Sequence, residues 1–481
     1  MAISERWPVL LLSMLVLVGC APAPAVVVGG SGPSAGCDEF VCERMAALRI
    51  PGAAYAVVDR TGIRQAGTFG TDGSGAQITQ GTAFLWGSVA KPVTARLIAT
   101  MAAAGELRLD EPVTTYLPSF RTGDPALSAR ITVRHLLNQT SGLPTSTTYT
   151  DRTDARRRPG DVVKELAHES LTSEPGGAHH YSSTNYLLLG AVVESVTGRT
   201  FTEVLAERVL EPLGMRTAVT SAEQATAVVP DGHRYVFGRP MSFATPFDPA
   251  GVSYGYLGGT LDDLAAFARA SLGDGTVLDG AVPTGDGRSY GLGWRRWTVD
   301  GTDIPMVWHG GAAPGYSAHV ILLPDHAVVF TANAYGKFQE AALLDIGFGI
   351  AARTLGHESA VAPVERSYQT ILIGLGALVV IGIAAVVRGV RLLAHPKAVS
   401  RQRAVANFAL WLLVIGGVLA GFGIGLPAAA GVELTQLVLW APDIAGSVFT
   451  ILALGALVLP LRLAVALFSA GLIGPTQNSP R

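Results

Sequence analysis

Leu85-Trp86-Gly87-Ser88-Val89-Ala90-Lys91-Pro92 holds the only Ser-x-x-Lys of the chain. A serine hydroxyl is a weak nucleophile at neutral pH until a neighbouring base takes its proton. On a helix, a residue three places on lies on the same face and within reach. Pro92 fixes where that helix begins, because proline is tolerated only in an opening turn. Helical sequence continuing through Ala95, Leu97 and Ile98 then starts near Ser88, which sits at the positive end of the helix dipole. One preference opposes this, since a residue before proline resists the helical region. Composition marks Lys91 a second time. Lysine occurs four times (91, 164, 337, 397) among 35 basic residues, so arginine carries most of the positive charge. Arginine keeps its proton in a protein, whereas a buried lysine can lose it, so a base is where arginine could not serve.

With 481 residues the chain exceeds one compact domain. Its net charge of -2 argues against a nucleic-acid partner. Hydropathy is concentrated at the two ends. Arg6 and the apolar run 9–18 have the shape of a secretory signal over 1–20. Leu17-Val18-Gly19-Cys20 resembles a bacterial lipobox, making Cys20 a candidate lipidation site; ordinary cleavage after Ala-Pro-Ala is the alternative. Assigning Cys20 to lipid leaves Cys37 and Cys42, either a candidate disulfide in an oxidising compartment or two free thiols. Residues 21–42 read as a flexible tether.

The region 43–356 reads as one catalytic domain of α+β class. Ala53 to Asp59 and Ile63 to Phe69 form a hairpin pattern around Arg60-Thr61-Gly62. A helix-rich middle follows, with a stop at Gly198 and a capping box at Thr260 to Asp263. The charge cluster between Asp151 and Asp161 reads as a solvated loop. Strand-like text returns from Tyr290 to Thr331, and an amphipathic helix spans 339–354. A hairpin, helices and a late block of strands describe one antiparallel sheet with helices packed on it and a helical insertion. After a linker at 357–367 comes a membrane region at 368–475, with three uncharged stretches at 368–387, 404–431 and 444–461, each about long enough to cross a bilayer. Arg388, Arg391, Lys397, Arg401 and Arg403 crowd the first connection without an acid; the second carries Glu433 and Asp443 without a base. The positive-inside rule puts the first connection in the cytoplasm and the catalytic domain outside, in agreement with an exported amino terminus.

Ser88-Val-Ala-Lys91, Tyr181-Ser182-Ser183 and Trp308-His309-Gly310-Gly311 occur in order, with LLNQTSGLP, LGGTLDDLAAF and YGLGW between and around them. On these motifs residues 43–356 resemble the serine β-lactamase-like family, which includes class C β-lactamases, DD-peptidases and Ser-x-x-Lys carboxylesterases. The resemblance implies the β-lactamase/transpeptidase-like fold, an antiparallel sheet flanked by helices with an all-helical subdomain and the site between them. By position it implies Ser88 as acylated nucleophile, Lys91 as its base or proton shuttle and Tyr181 as phenolic acid and base. It implies Ser183, His309, Gly310 and Gly311 along the substrate, with the amides of Ser88 and Ala312 as oxyanion hole. Gly310 and Gly311 suit a strand against which a substrate lies as an added edge. Two residues depart from the pattern: Ser183 stands where the family has asparagine, and Gly310 where it has a hydroxyl residue. No cofactor or metal is implied.

Other classes have less support. Within 43–356 Gly-x-Ser-x-Gly occurs at 251–255 and 287–291, but neither copy has the strand before and helix after that an α/β-hydrolase elbow needs. No His-Glu-x-x-His is present. The expectation is an extracytoplasmic serine hydrolase held in a bacterial cell membrane, acting on a small-molecule acyl substrate or a cell-wall peptide. A catalytically weak penicillin-binding or wall-fragment sensor, signalling through the membrane helices, is the alternative.

Overall fold

A computed structural model describes residues 35–145, 147–358 and 366–472. Its principal elements are α1 (Ala35–Leu48), β1 (Gly52–Val58), β2 (Ile63–Gly70), α2 (Ala90–Ala103), α3 (Ser183–Thr197) and α4 (Leu261–Ser271), then the strands β3 (Val282–Gly285), β4 (Arg288–Gly291), β5 (Trp294–Thr298), β6 (Pro305–Ala313), β7 (Tyr316–Leu322) and β8 (Ala327–Ala332). Helix α5 (Glu340–Thr354) closes the domain. The eight strands form one sheet in the order β2-β1-β8-β7-β6-β5-β4-β3, antiparallel throughout.

Successive side chains of a strand point to opposite faces, and β1 shows why its whole length is apolar. Ala54, Ala56 and Val58 enter a core shared with α2, α3 and α4, where Leu97, Leu188 and Leu264 are buried. Ala53, Tyr55 and Val57 enter a second core against α1 and α5, with Phe40, Met45 and Ile346. The strand is covered on both sides, so neither face could be polar. Helix α3 ends where the sequence placed its stop, with Gly198 in the left-handed conformation. Thr260 and Asp263 make the expected reciprocal cap of α4. The sheet leaves one opening that matters: β5 pairs with β6 only as far as Trp308, so the edge from His309 to Ala313 lacks a strand on that side.

Two expectations need correction. The tether does not extend to residue 42: Phe40 and Val41 are buried, and a side chain at Gly349 of α5 would collide with the Phe40 ring. The folded domain therefore takes in α1. Cys42 is a free thiol, not half of a disulfide. Cys37 and Cys42 lie five apart on that one helix, where α-helical geometry separates the Cα atoms by about 8–9 Å, beyond the roughly 7 Å a disulfide can span. Cys20, the signal and most of the tether lie outside the described residues.

Among the described residues three helices are long and apolar enough to cross a membrane: Ser367–Ala394, Arg401–Ala430 and Pro442–Ser469. The first we label α6 (Arg366–Ala394) and the second begins as α7 (Arg401–Ala420). A short helix, α8 (Leu434–Trp440), leads into α9 (Pro442–Ser469). Helices α6 and α9 lie side by side, and glycine lets them meet: a Cβ at Gly382 would stand 2.9 Å from Leu454 Cδ1. The connection before α9 rests on the catalytic domain. Gln436 Nε2 donates to the carbonyls of Thr147 (2.6 Å) and Thr150 (2.7 Å), and the Phe237 amide donates to Asp443 (2.9 Å).

Candidate active site

Ser88 lies in a tight turn, Gly87–Val89, that runs directly into α2. Gly87 adopts φ +54 because a Cβ there would fall 2.3 Å from the amide nitrogen of Ala312. The turn is thus pressed onto the open edge of β6. Lys91, one helical turn on, is fully buried. Its Nζ lies 3.0 Å from Ser88 Oγ, 3.1 Å from Ser183 Oγ and 2.9 Å from the Tyr254 carbonyl oxygen. All three partners are uncharged. Burial lowers the lysine's proton affinity below its ordinary value, with the Tyr181 phenol opposing that shift less strongly. A neutral amine donates twice and accepts once. The Tyr254 carbonyl can only accept, so the lone pair faces a hydroxyl, and Ser88 is within reach to donate its proton there.

Tyr181 enters from the turn before α3. Its ring centroid is 5.0 Å from Lys91 Nζ, 5.1 Å from the Arg295 guanidinium carbon and 6.1 Å from the His309 ring. The motif around it is clamped by Gln139, from the LLNQTSGLP stretch. The Gln139 side-chain carbonyl accepts from the Ser182 amide (2.9 Å) and from Asn185 Nδ2 (2.6 Å), and its backbone carbonyl accepts from the His180 amide (2.8 Å). Gln139 does this from φ +61, an uncommon conformation for a side chain of its size.

His309 is buried, with Nδ1 2.7 Å from the Gly310 carbonyl. That contact fixes the proton on Nδ1. Burial first, then the charges of Arg295 and Lys91, hold its pKa well below the usual histidine value, so the ring is neutral. The glycines after it have a different reason from the one expected. A Cβ at Gly311 would fall 1.8 Å from the Trp86 carbonyl, and one at Gly310 would meet Leu344 on α5 at 2.6 Å. The close neighbours are the protein's own turn and helix.

Ser88, Lys91, Tyr181, Ser183, His309, Gly310, Gly311 and Ala312 therefore come together in one cleft. Sequence reasoning missed three contributors. The Tyr254 carbonyl sits in a motif dismissed correctly as a nucleophile elbow, since Ser253 is fully buried and its carbonyl accepts from Thr94. Arg295 stacks on Tyr181, and an arginine alternating with tryptophans in Trp294-Arg-Arg-Trp297, beside the third motif, was the available signal. Asp151 is buried in the cleft wall, accepting from Tyr256 OH (2.9 Å) and Trp440 Nε1 (3.2 Å). Burial pushes its carboxyl up to about 6. The loop after it is not fully solvated either: Arg157 is buried, 2.9 Å from Glu165 and 3.7 Å from Asp248. Among the described residues no cluster of His, Cys, Asp or Glu suits a metal ion.

A buried lysine against a serine, a tyrosine beside both and a strand edge facing them are the groups that an acyl transfer to serine would need, set on a β-lactamase/transpeptidase-like fold. The chain belongs to the beta-lactamase family, whose model matches residues 37–351. It is similar to penicillin-binding protein 4 of Amycolatopsis lactamdurans, 32% identical over 322 residues, covering 60% of this chain and 82% of that one. Among solved structures, the octameric penicillin-binding protein homologue from Pyrococcus abyssi superposes with TM-score 0.57 at 24% identity, covering 67% of this chain and 77% of that one. A D-stereospecific amidohydrolase from Streptomyces sp. superposes with TM-score 0.54 at 24% identity, covering 63% and 95%. These two likenesses concern the fold.

Proposed function

We propose that the protein is a serine hydrolase held in the bacterial cell membrane by α6, the helix Arg401–Ala430 and α9, with its catalytic domain outside the cell. It acts through an acyl-enzyme at Ser88 on an ester, amide or β-lactam/peptidoglycan-type acyl substrate. The observation that carries this reading is the 3.0 Å contact between Ser88 Oγ and a Lys91 whose charge is disfavoured by burial.

Neutral Lys91 takes the Ser88 proton as Oγ attacks the acyl carbon. The amides of Ser88 and Ala312 receive the developing oxyanion, as donors fixed before the reaction begins. The Tyr181 phenol, beside Lys91, relays the proton to the leaving group. The substrate lies along the free edge His309–Ala313, supplying the strand that β5 does not. Water, activated by the same groups, then releases the acid and restores Ser88. Ser183 retains a hydroxyl contact to Lys91 although it is shorter than asparagine, which supports turnover over the sensor alternative. The five basic residues from Arg388 to Arg403 all lie at or between the ends of α6 and α7 remote from the catalytic domain, supporting an outside location for that domain.

The test is turnover by the full chain in detergent. Release of nitrophenol from p-nitrophenyl acetate, acetylation of Ser88 seen by mass spectrometry and silence of Ser88→Ala are expected. Labelling by a fluorescent penicillin separates the β-lactam-recognising substrates from simple esters. Stoichiometric acylation that never turns over would replace the hydrolase with the sensor.

A further inference from the structure

We infer that the substrate is a membrane-resident amphiphile, a long-chain acyl ester with a polar head, whose hydrocarbon chain lies between the catalytic domain and the ends of the membrane helices. This rests on the hydrolase reading above and adds the substrate class.

Ser88 stands where two cavities meet, the first lined mainly by aliphatic and aromatic side chains and the second richer in charged and polar groups. One, of about 540 Å³, begins at Ser88, Tyr181 and Ser183 and is walled at its far side by Ile371, Leu426, Leu437, Trp440 and Ile444. The other, of about 400 Å³, shares Ser88, Tyr181 and Ala312 but carries Arg295, His309 and Ser317. Both fall in the size range of small-ligand sites. A hydrocarbon chain gains about 0.8 kcal/mol per methylene removed from water, and the first cavity offers it the more extensive aliphatic wall, whereas in the second Trp297, Trp308, Leu343 and Leu344 are interspersed with charged and polar groups. The second offers the Arg295 guanidinium and the Ser317 hydroxyl to a polar head.

The apolar walls come from the membrane region, and from one end of it. Ile371 lies in the second turn of α6, Leu426 just before the end of the second candidate span, and Ile444 in the first turn of α9. The five basic residues from Arg388 to Arg403, which mark the cytoplasmic side in this reading, stand at the opposite ends of the first two of these helices. The chain-binding wall is therefore at the level of the outer leaflet, where an amphiphile's acyl chains begin. The wall is also built in place. Gln436 is buried and bonded to Thr147 and Thr150, and Trp440 donates to Asp151; all five line the same cavity. A site for soluble peptides or small esters has no use for membrane-helix ends held over its nucleophile.

In the step this implies, Ser88 Oγ bonds to the fatty acyl carbon as its proton passes to Lys91. The bond from that carbon to the head-group oxygen breaks, and the head leaves as an alcohol carrying the proton. Water then cleaves the Ser88 ester and the fatty acid departs.

The experiment uses the full chain in detergent with p-nitrophenyl acetate and p-nitrophenyl dodecanoate, and the variants Leu426→Trp and Leu437→Trp. The expected result is a fall of at least tenfold in the ratio of kcat/KM for dodecanoate over acetate in both variants. A ratio that neither variant moves overturns the inference. A diazirine-bearing dodecanoic acid, photolysed with the wild-type chain in vesicles, reads the cavity without turnover. Adducts within residues 426–444, lost on competition with unlabelled dodecanoic acid, support it, and their absence from that stretch refutes it. Adducts there without hydrolysis of either ester would leave the lipid cavity standing and sink the hydrolase reading instead.

Discussion

Gly311 lies directly under the carbonyl of Trp86, so that a Cβ at this glycine would fall 1.8 Å from that oxygen and 3.0 Å from the Ser88 amide. Backbone cannot yield as a side chain can, and the turn that would have to move carries the nucleophile. Gly310 is adjacent in the chain, but its Cβ would meet side chains rather than backbone, the end of Leu344 at 2.6 Å and the Trp308 ring at 3.3 Å. Leu344 can change rotamer at a cost of about 1 kcal/mol. Gly311→Ala is therefore expected to lower kcat/KM for p-nitrophenyl acetate by a hundredfold or more, while Gly310→Ala lowers it less than tenfold. Equal losses in the two variants would show that the turn does not depend on this approach.

Lys91 is the only charged-type side chain among the largest fully buried residues, and burial lowers its pKa from the lysine norm of 10.5. A base must be neutral, so acylation should rise with pH and level off above the lysine's folded-state pKa, at a midpoint below 10.5. Lys91→Arg keeps the positive charge and cannot be deprotonated. It should reduce acylation by about 10²–10⁴-fold, the usual contribution of a general base, with no recovery at high pH. Stopped-flow release of nitrophenol across pH 6 to 10 provides the measurement.

The fold and the main site were legible because they rest on local chemistry. Ser88 to Lys91 is a spacing along one helix, Thr260 to Asp263 a cap, and β1 an unbroken apolar run whose two faces enter two cores. Membrane helices announce themselves by length and hydropathy. What escaped was contact between distant parts of the chain. Nothing in the sequence brings the Tyr254 carbonyl to Lys91 across 163 positions, or Gln436 to Thr147 across 289. The true beginning of the domain escaped for a subtler reason: α1 has almost no one-sided apolar pattern, and the Phe40 ring fits only because α5 leaves room at Gly349. Asp151 and Arg157 read as surface charge because a carboxylate or guanidinium ordinarily is.

Asp151 gives stability a pH dependence of definite sign. Its carboxyl titrates at about 6 in the folded protein, against about 3.9 in an unfolded chain. Between these values the folded state holds more protons, so stability from this group is complete at the acid end and is lost as pH rises through about 6. Asp151→Asn removes the titration while keeping a carbonyl acceptor for Tyr256 or Trp440. The melting temperature of the wild type minus that of the variant should fall from pH 4 to pH 7. A difference independent of pH would mean that Asp151 is solvated or ionised throughout.

Gln436 holds the connection before α9 to the catalytic domain. Its Nε2 donates to the carbonyls of Thr147 and Thr150, and its Oε1 accepts from Thr147 Oγ1 at 2.6 Å. Gln436→Ala strands the Thr150 carbonyl, at a cost of about 1–3 kcal/mol where water does not reach it, while the Thr147 carbonyl keeps the Thr150 amide at 3.0 Å. The loss is local, because the two cores of the domain lie elsewhere. The Thr147 amide, which donates to Gly431, and the Asp151 amide, which donates to Tyr254 OH, should exchange hydrogen at least tenfold faster in the variant. Amides of α2 and β7 should keep their wild-type rates. Hydrogen exchange read by mass spectrometry on the full chain in detergent resolves the two sets. Uniformly faster exchange would instead mark Gln436 as a determinant of the whole fold, and unchanged exchange at 147–151 would mean that the connection is not held by this side chain.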